Sequence, residues 1–174
     1  MFKRLIPDQI VNTVFDIDLD ELKARGVRGI ITDLDNTLVS AKTPLATPEL
    51  VGWLDLVKDQ GFKVVILSNN NSTRVSKFAE PLGIPFIPSA RKPAGASFHK
   101  AAKLMELSNE QAVVVGDQML TDVLGGRRAG LHTILVTPIA PREEGWATQI
   151  NRRIEKIALA RLRKKGLWPE KGGH

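Results

Sequence analysis

From Val27 to Thr137 the sequence alternates short runs of β-branched and aliphatic residues with stretches of helical periodicity, and few architectures accommodate that alternation. The β-rich runs are Val27 to Asp33, Lys63 to Ser68, Pro85 to Ile87, Ala112 to Gly116 and His132 to Val136. Between them lie helical stretches: Pro48 to Gln60, opened by Thr47 as cap and Pro48 at the first position, then Ser72 to Leu82, Gly95 to Leu107 and Thr121 to Ala129. Gly61, Gly83 and Gly130 follow three of these as helix stops. The series predicts an α/β fold, a doubly wound, Rossmann-like parallel sheet. Ligands in such sheets bind beyond the carboxyl ends of the strands, so the residues just after each run are the candidates for function.

Ahead of this unit, Asp18 to Gly26 has the pattern of a short helix, and residues 1–26 are expected to form a helical lead-in to a core of residues 27–140. Pro138-Ile139-Ala140-Pro141 then interrupts the pattern. Residues 141–174 are expected to form an amphipathic helix, Trp146 to Lys165, and a tail. Ile150, Ile154, Ile157 and Leu162 share one face of that helix, with Arg152, Arg153, Lys156, Arg163 and Lys164 largely away from it and Trp168 following. The net charge of +6 resides here: from Arg142 onward nine basic residues face four acidic ones, and the rest is nearly neutral.

Reading only the strand ends yields a small set of polar residues. Asp33 and Asp35 follow the first run, Ser68, Asn69 and Asn70 the second, and Asp117 and Asp122 the fourth, while Lys92 lies in the loop after the third. These loops are each about one β-α unit apart, so they converge on one edge of the sheet. Four carboxylates brought together there repel one another unless a cation joins them. The chain has no cysteine, which removes disulfides, thiolate metal sites and a cysteine nucleophile, and leaves oxygen and histidine as ligands. Magnesium suits such an oxygen site and keeps room for a phosphate oxygen. Lys92 then supplies a charge against a phosphoryl group, and Ser68 with nearby amides supplies hydrogen bonds. Asn69 is a further candidate for phosphate contact, though asparagines after a strand also form turns.

The same residues carry a resemblance. Ile30-Ile31-Thr32-Asp33-Leu34-Asp35-Asn36-Thr37-Leu38 is similar to the first motif of the haloacid dehalogenase-type phosphohydrolase superfamily. Val64-Val65-Ile66-Leu67-Ser68-Asn69 is similar to the second, Lys92 to the third, and Val113-Val114-Val115-Gly116-Asp117 with Asp122 to the fourth. Asn36 stands where glycine is usual, a variant that resembles the capless, YqeG-type group. The resemblance implies that Asp33 is a nucleophile forming an aspartyl-phosphate and that Asp35 is its general acid and base. It further implies Mg2+ held by the side chains of Asp33 and Asp117 and the main-chain carbonyl of Asp35, with Asp122 in support. Aspartate rather than threonine at the second position separates the chain from the related ion pumps and implies hydrolysis.

Other polar residues read as structural. Asp16-Ile17-Asp18-Leu19-Asp20 mimics the motif but leads into a helix rather than following a strand. His99 falls on a helix and His132 opens a strand. Trp53 with Leu50, Leu54 and Val57 forms a core stripe.

The spacing between motifs leaves no room for a cap domain, so the site is expected to be open to a bulky substrate. The YqeG-type group is also similar to phosphatases of phosphatidylglycerophosphate, which points to a lipid head group. A basic amphipathic helix suits an anionic membrane surface, although the same helix could simply pack on the core. Nucleic-acid or protein phosphoesters are the alternative substrates, a phosphate-binding regulatory module is the alternative class, and oligomers that cover an open site keep small substrates in play. No signal-peptide-like or membrane-spanning run is present, so a cytoplasmic protein, peripheral on the inner face of the membrane, is expected.

Overall fold

The computed structural model describes residues 2–169; Met1 and residues 170–174, among them Glu170 and Lys171 of the basic tail, lie outside the described residues. Six strands form one parallel sheet: β1 (Gln9–Val11), β2 (Gly29–Thr32), β3 (Lys63–Leu67), β4 (Phe86–Ile87), β5 (Ala112–Gly116) and β6 (His132–Val136). Their order is β1-β6-β5-β2-β3-β4, with every neighbouring pair parallel. The helices are α1 (Leu19–Ala24), α2 (Pro48–Asp59), α3 (Ser72–Ala79), α4 (Gly95–Leu104), α5 (Leu124–Arg128) and α6 (Trp146–Lys164).

Both sheet faces are covered, which is why β2 and β5 are buried along their whole lengths. Ile30, Val64, Ile66, Val113 and Val115 pack one way against Leu50, Trp53, Leu54 and Val57 of α2 and Val75 and Phe78 of α3. Ile31, Val65, Leu67 and Val114 pack the other way against Phe98 and Ala101 of α4. Local chemistry sets the helix starts. The Thr47 hydroxyl accepts the Leu50 N–H at 3.2 Å, Asn71 accepts that of Arg74 at 2.9 Å, and Asp18 that of Glu21 at 2.9 Å. Asp16 likewise accepts the Thr13 N–H, so the run that mimics the motif serves to cap turns.

Three elements depart from the sequence expectation. Gln9–Val11 is a strand within the lead-in, paired with β6; three residues carry too little periodicity to announce it. The helix expected from Thr121 becomes regular only at Leu124, after a wide turn at Met119–Val123 that buries Asp122. Helix α6 packs by Glu155, Ala158 and Leu162, against Leu5 and Met119, so Leu162 is buried while Ile150, Ile154 and Ile157 are exposed. Arg152, expected among the outward charges, turns inward.

Candidate active site

The strand order reverses between β2 and β5: the chain leaves β2 for β3 on one side and builds β5 and β6 on the other. A crevice opens at such a point, at the carboxyl ends of the strands. Thr32 is in register with Val115, and the Asp33 N–H donates to the Val115 carbonyl at 2.9 Å, so Asp33 and Asp117 emerge side by side. One oxygen each of Asp33, Asp117 and Asp122 lies within 4.8 Å of the other two, all three side chains being buried. The Lys92 ammonium donates to Asp33 at 2.9 Å and to Asp122 at 2.7 Å.

Burial pushes the Asp33 carboxyl well above the usual carboxylate range, against the pull of Lys92 and with the help of Asp122 and Asp117. Burial alone would lower the Lys92 ammonium; Asp122 and Asp33 override it and hold the ammonium above its ordinary value. Asp117 is pushed up to about 6 by burial, opposed by Arg152. Across the site six carboxylates, of Asp33, Asp35, Asp117, Asp122, Glu144 and Glu155, face three cations, of Lys92, Arg74 and Arg152. That surplus of negative charge, concentrated on three convergent oxygens, fits a hard divalent cation.

Asp35 stands apart from the cluster. Its carboxylate accepts from Asn70 Nδ2 at 2.8 Å and from Arg74 at 3.0 and 3.1 Å. Ser68 is buried, and its hydroxyl accepts the Asn70 N–H at 3.1 Å. Asn69 braces Lys92 at both ends of its amide: Oδ1 accepts the Lys92 N–H at 2.7 Å, and Nδ2 donates to the Lys92 carbonyl at 3.2 Å. Both asparagines therefore serve neighbours, Asn69 the lysine and Asn70 the second aspartate.

The glycine that ends β5 makes the approach of Asp122 feasible. A β-carbon on Gly116 would lie 2.2 Å from Asp122 Cγ, so only glycine lets that carboxylate lie against the strand end. The Gln118 N–H donates to the other Asp122 oxygen at 3.2 Å.

A second group joins Asn36 and Thr37 of the first motif to residues from outside the four motifs, Arg152, Glu144 and Glu155. Thr37 donates to Asp117 at 3.1 Å. Arg152, from α6, grips Asp117 by its side chain and donates to its main-chain oxygen at 2.7 Å, while also meeting Glu144 at 2.6 Å and Glu155 at 3.3 Å. These contacts hold the guanidinium above its ordinary range despite partial burial. Asn36 is in the left-handed region, with φ at 63°, which asparagine tolerates better than most residues. Its side chain donates to Glu144 at 3.0 Å and accepts the Ala140 N–H at 3.2 Å, two bonds that glycine cannot make. The sequence flagged Asn36 as unusual, but nothing in it pairs Arg152 with an aspartate 35 residues earlier.

A cavity of about 320 Å3 is lined by Asp33, Asp35, Ser68 and Lys92 and walled by Glu144, Gly145 and Thr148. No separate domain is inserted over it among the described residues; the start of α6 forms part of its rim. His99 and His132 lie elsewhere, the first hydrogen-bonded with Asn109 and the second beside Asp8.

With convergent buried carboxylates and a lysine at the switch point of its parallel sheet, the chain has a haloacid-dehalogenase-like hydrolase fold. The HAD-hydrolase-like family model matches residues 89–144. The chain is 54% identical to "Probable phosphatase YqeG" of Bacillus subtilis (strain 168), over 94% of the chain and 95% of that protein, and it belongs to the YqeG family of HAD-type phosphatases. It is also 27% identical to "Phosphatidylglycerophosphate phosphatase 1, chloroplastic/mitochondrial" of Arabidopsis thaliana, over 95% of the chain but 50% of that longer protein. Among solved structures, the cobalt-bound deoxy-D-mannose-octulosonate 8-phosphate phosphatase of Haemophilus influenzae superposes with a TM-score of 0.54 at 16% identity, over 79% of this chain and 90% of that one. That likeness shows the fold.

Proposed function

We propose that the chain is a magnesium-dependent phosphomonoester hydrolase that works through an aspartyl-phosphate on Asp33, and that its substrate is bulky, with phosphatidylglycerophosphate the best fit. The observation that carries this reading is the position of Asp33: buried at the switch point, ion-paired to Lys92 and within reach of Asp117 and Asp122.

In this scheme an Asp33 oxygen attacks phosphorus as the bond to the leaving oxygen breaks. Asp35, aimed by Asn70 and Arg74, gives that oxygen its proton and later takes one from the water that displaces Asp33. Lys92 and Ser68 line the cavity where the phosphoryl oxygens arrive and offset their charge. Asn69 acts on the phosphate indirectly by fixing Lys92. The side chains of Asp33 and Asp117 and the carbonyl of Asp35 would hold Mg2+, with Asp122 in support; the bound ion would neutralise phosphate charge.

Support for a lipid substrate comes from two sides. Among the described residues no cap is inserted over the cavity, and relatives named phosphatidylglycerophosphate phosphatases align along nearly the whole of this chain, though it covers 50% and 64% of their lengths. In this reading the enzyme works peripherally, at the inner face of a membrane. No described helix is long and apolar enough to cross one.

The test is phosphate release by the full chain with Mg2+, from phosphatidylglycerophosphate in mixed micelles, a 5′-phosphorylated oligonucleotide and an aryl phosphate. The lipid is expected to be turned over fastest, and Asp33→Asn is expected to abolish release from all three while the circular dichroism spectrum is kept. Preference for the oligonucleotide would overturn the lipid assignment, and undiminished turnover by Asp33→Asn would overturn the mechanism.

A further inference from the structure

We infer that the outer face of α6, together with the turn at Phe2–Leu5 and the end of α5, is a docking surface for an anionic phospholipid bilayer. The surface stands on the structural features below; it rests on the lipid reading of the substrate only for its consequence for turnover.

Helix α6 has two apolar faces with different fates. Ala158 and Leu162 are buried against Leu5 and Met119 and anchor the helix. Trp146, Ile150, Ile154 and Ile157, in steps of three and four residues, form a separate stripe that is 77, 45, 47 and 56% exposed. The stripe therefore is not what attaches the helix to the domain. Left in water it costs solubility without adding to the core, which is the mark of a surface with a partner.

Charge identifies the partner. Ile154 and Ile157 open onto a groove of about 630 Å3 with Leu5, Leu120 and Leu124 along it and Lys3, Arg4, Arg128 and Arg161 around it, a lining with four cations and no carboxylate. Within α6 the one acid, Glu155, is buried and ion-paired to Arg152, so the exposed side of the helix offers Arg153, Lys156, Arg161, Arg163 and Lys164 with no exposed acid of its own. Aliphatic side chains ringed by cations match the boundary between acyl chains and anionic head groups, and an exposed tryptophan suits the same depth. A second copy of this face would bring like charges together. Nucleic acid would satisfy the cations but leave the isoleucines in water.

The placement has a consequence for the site. Gly145 and Thr148, at the start of α6, wall the cavity that holds Asp33. A helix lying in the interface along its outer face keeps that cavity one helix diameter, about 10 Å, from the membrane surface. A lipid phosphomonoester is then concentrated beside the site, which raises its turnover on vesicles over that in free solution.

The experiment is co-sedimentation of the full chain with vesicles of phosphatidylcholine alone or mixed with phosphatidylglycerol, at low and high salt, for the parent, Ile154→Glu/Ile157→Glu and Arg4→Ala/Arg128→Ala. The parent is expected to pellet with the anionic vesicles and much less with the neutral ones. Removal of two cations is expected to weaken the partition roughly tenfold or more, and the glutamates at least as much. Hydrolysis of a soluble aryl phosphate is expected to be unchanged in both variants, which shows that they are folded. Equal pelleting of parent and variants, equal pelleting with neutral vesicles, or no pelleting of the parent would overturn the surface, as would loss of oligonucleotide binding in place of vesicle binding. Turnover of phosphatidylglycerophosphate in detergent micelles separates the two ideas: its absence in the parent removes the substrate assignment while vesicle binding stands or falls by itself.

Discussion

Arg152, on α6, holds Asp117, at the end of β5, by both its carboxylate and its main-chain oxygen. The same guanidinium meets Glu144 and Glu155, both buried, so one side chain from the C-terminal helix is shared by three acids beside the candidate metal centre. Desolvating that many charges is favourable only while the guanidinium is present. Arg152→Ala is therefore expected to destabilise the fold by about 3 kcal/mol or more, because it strands buried carboxylates. Urea denaturation measures this, and a midpoint equal to the parent's would show that the network is slack. Arg152→Lys keeps the charge but not the fork, so it is expected to fall between the two.

How far the sequence announced these features depends on their range. Strands β2, β3, β5 and β6 were legible because a sheet covered on both faces demands continuous apolar runs, and the stripe of Leu50, Trp53, Leu54 and Val57 was legible because α2 repeats at helical period. The convergence of Asp33, Ser68, Lys92 and Asp117 on one edge was legible because each follows a strand of a parallel sheet, whose carboxyl ends lie together. Strand β1 was missed because three residues carry no period. The direction of α6 was missed because Leu162 and Ile154 both satisfy a helical stripe, and only the location of Leu5 and Met119 decides which is buried. Asn69 offered no sign that its amide would be committed to the backbone of Lys92.

Asn36 links the first motif to the C-terminal segment, and substitution tests the link cleanly. At φ 63° glycine fits without strain, so Asn36→Gly changes side-chain bonds and little else. The bonds to Glu144 and the Ala140 amide are lost, at about 1 kcal/mol each. Hydrogen exchange is expected to accelerate at Ala140 while the amides of β2 and β5 keep their protection. Unchanged exchange at Ala140 would mean that Asn36 does not hold the segment.

Gly116→Ala is expected to act on Asp122. The added methyl would lie 2.2 to 2.4 Å from three Asp122 atoms, too close for either group to stay. Displacing Asp122 takes one ion-pair partner from Lys92 and one oxygen from the acidic cluster. Thermal stabilisation by added Mg2+ should shrink in this variant, and phosphate release should fall with it. A Mg2+-dependent shift in melting temperature as large as the parent's would show that Asp122 is dispensable to the ion.

Asp35 offers a test whose outcome depends on the substrate rather than on the fold. It sits outside the acidic cluster, aimed by Asn70 and Arg74, in a cavity shared with Asp33. A general acid matters in proportion to the basicity of the leaving oxygen. Asp35→Asn is therefore expected to slow release from an alkyl phosphate by about 100-fold or more, and formation of the aspartyl-phosphate from an aryl phosphate with a weakly basic leaving group far less. Loss of the general base then slows hydrolysis of the intermediate, so rapid quench should find a burst of aryl leaving group followed by slow turnover. Equal slowing of the first step for both substrates would remove Asp35 from the protonation of the leaving group and confine it to holding Arg74.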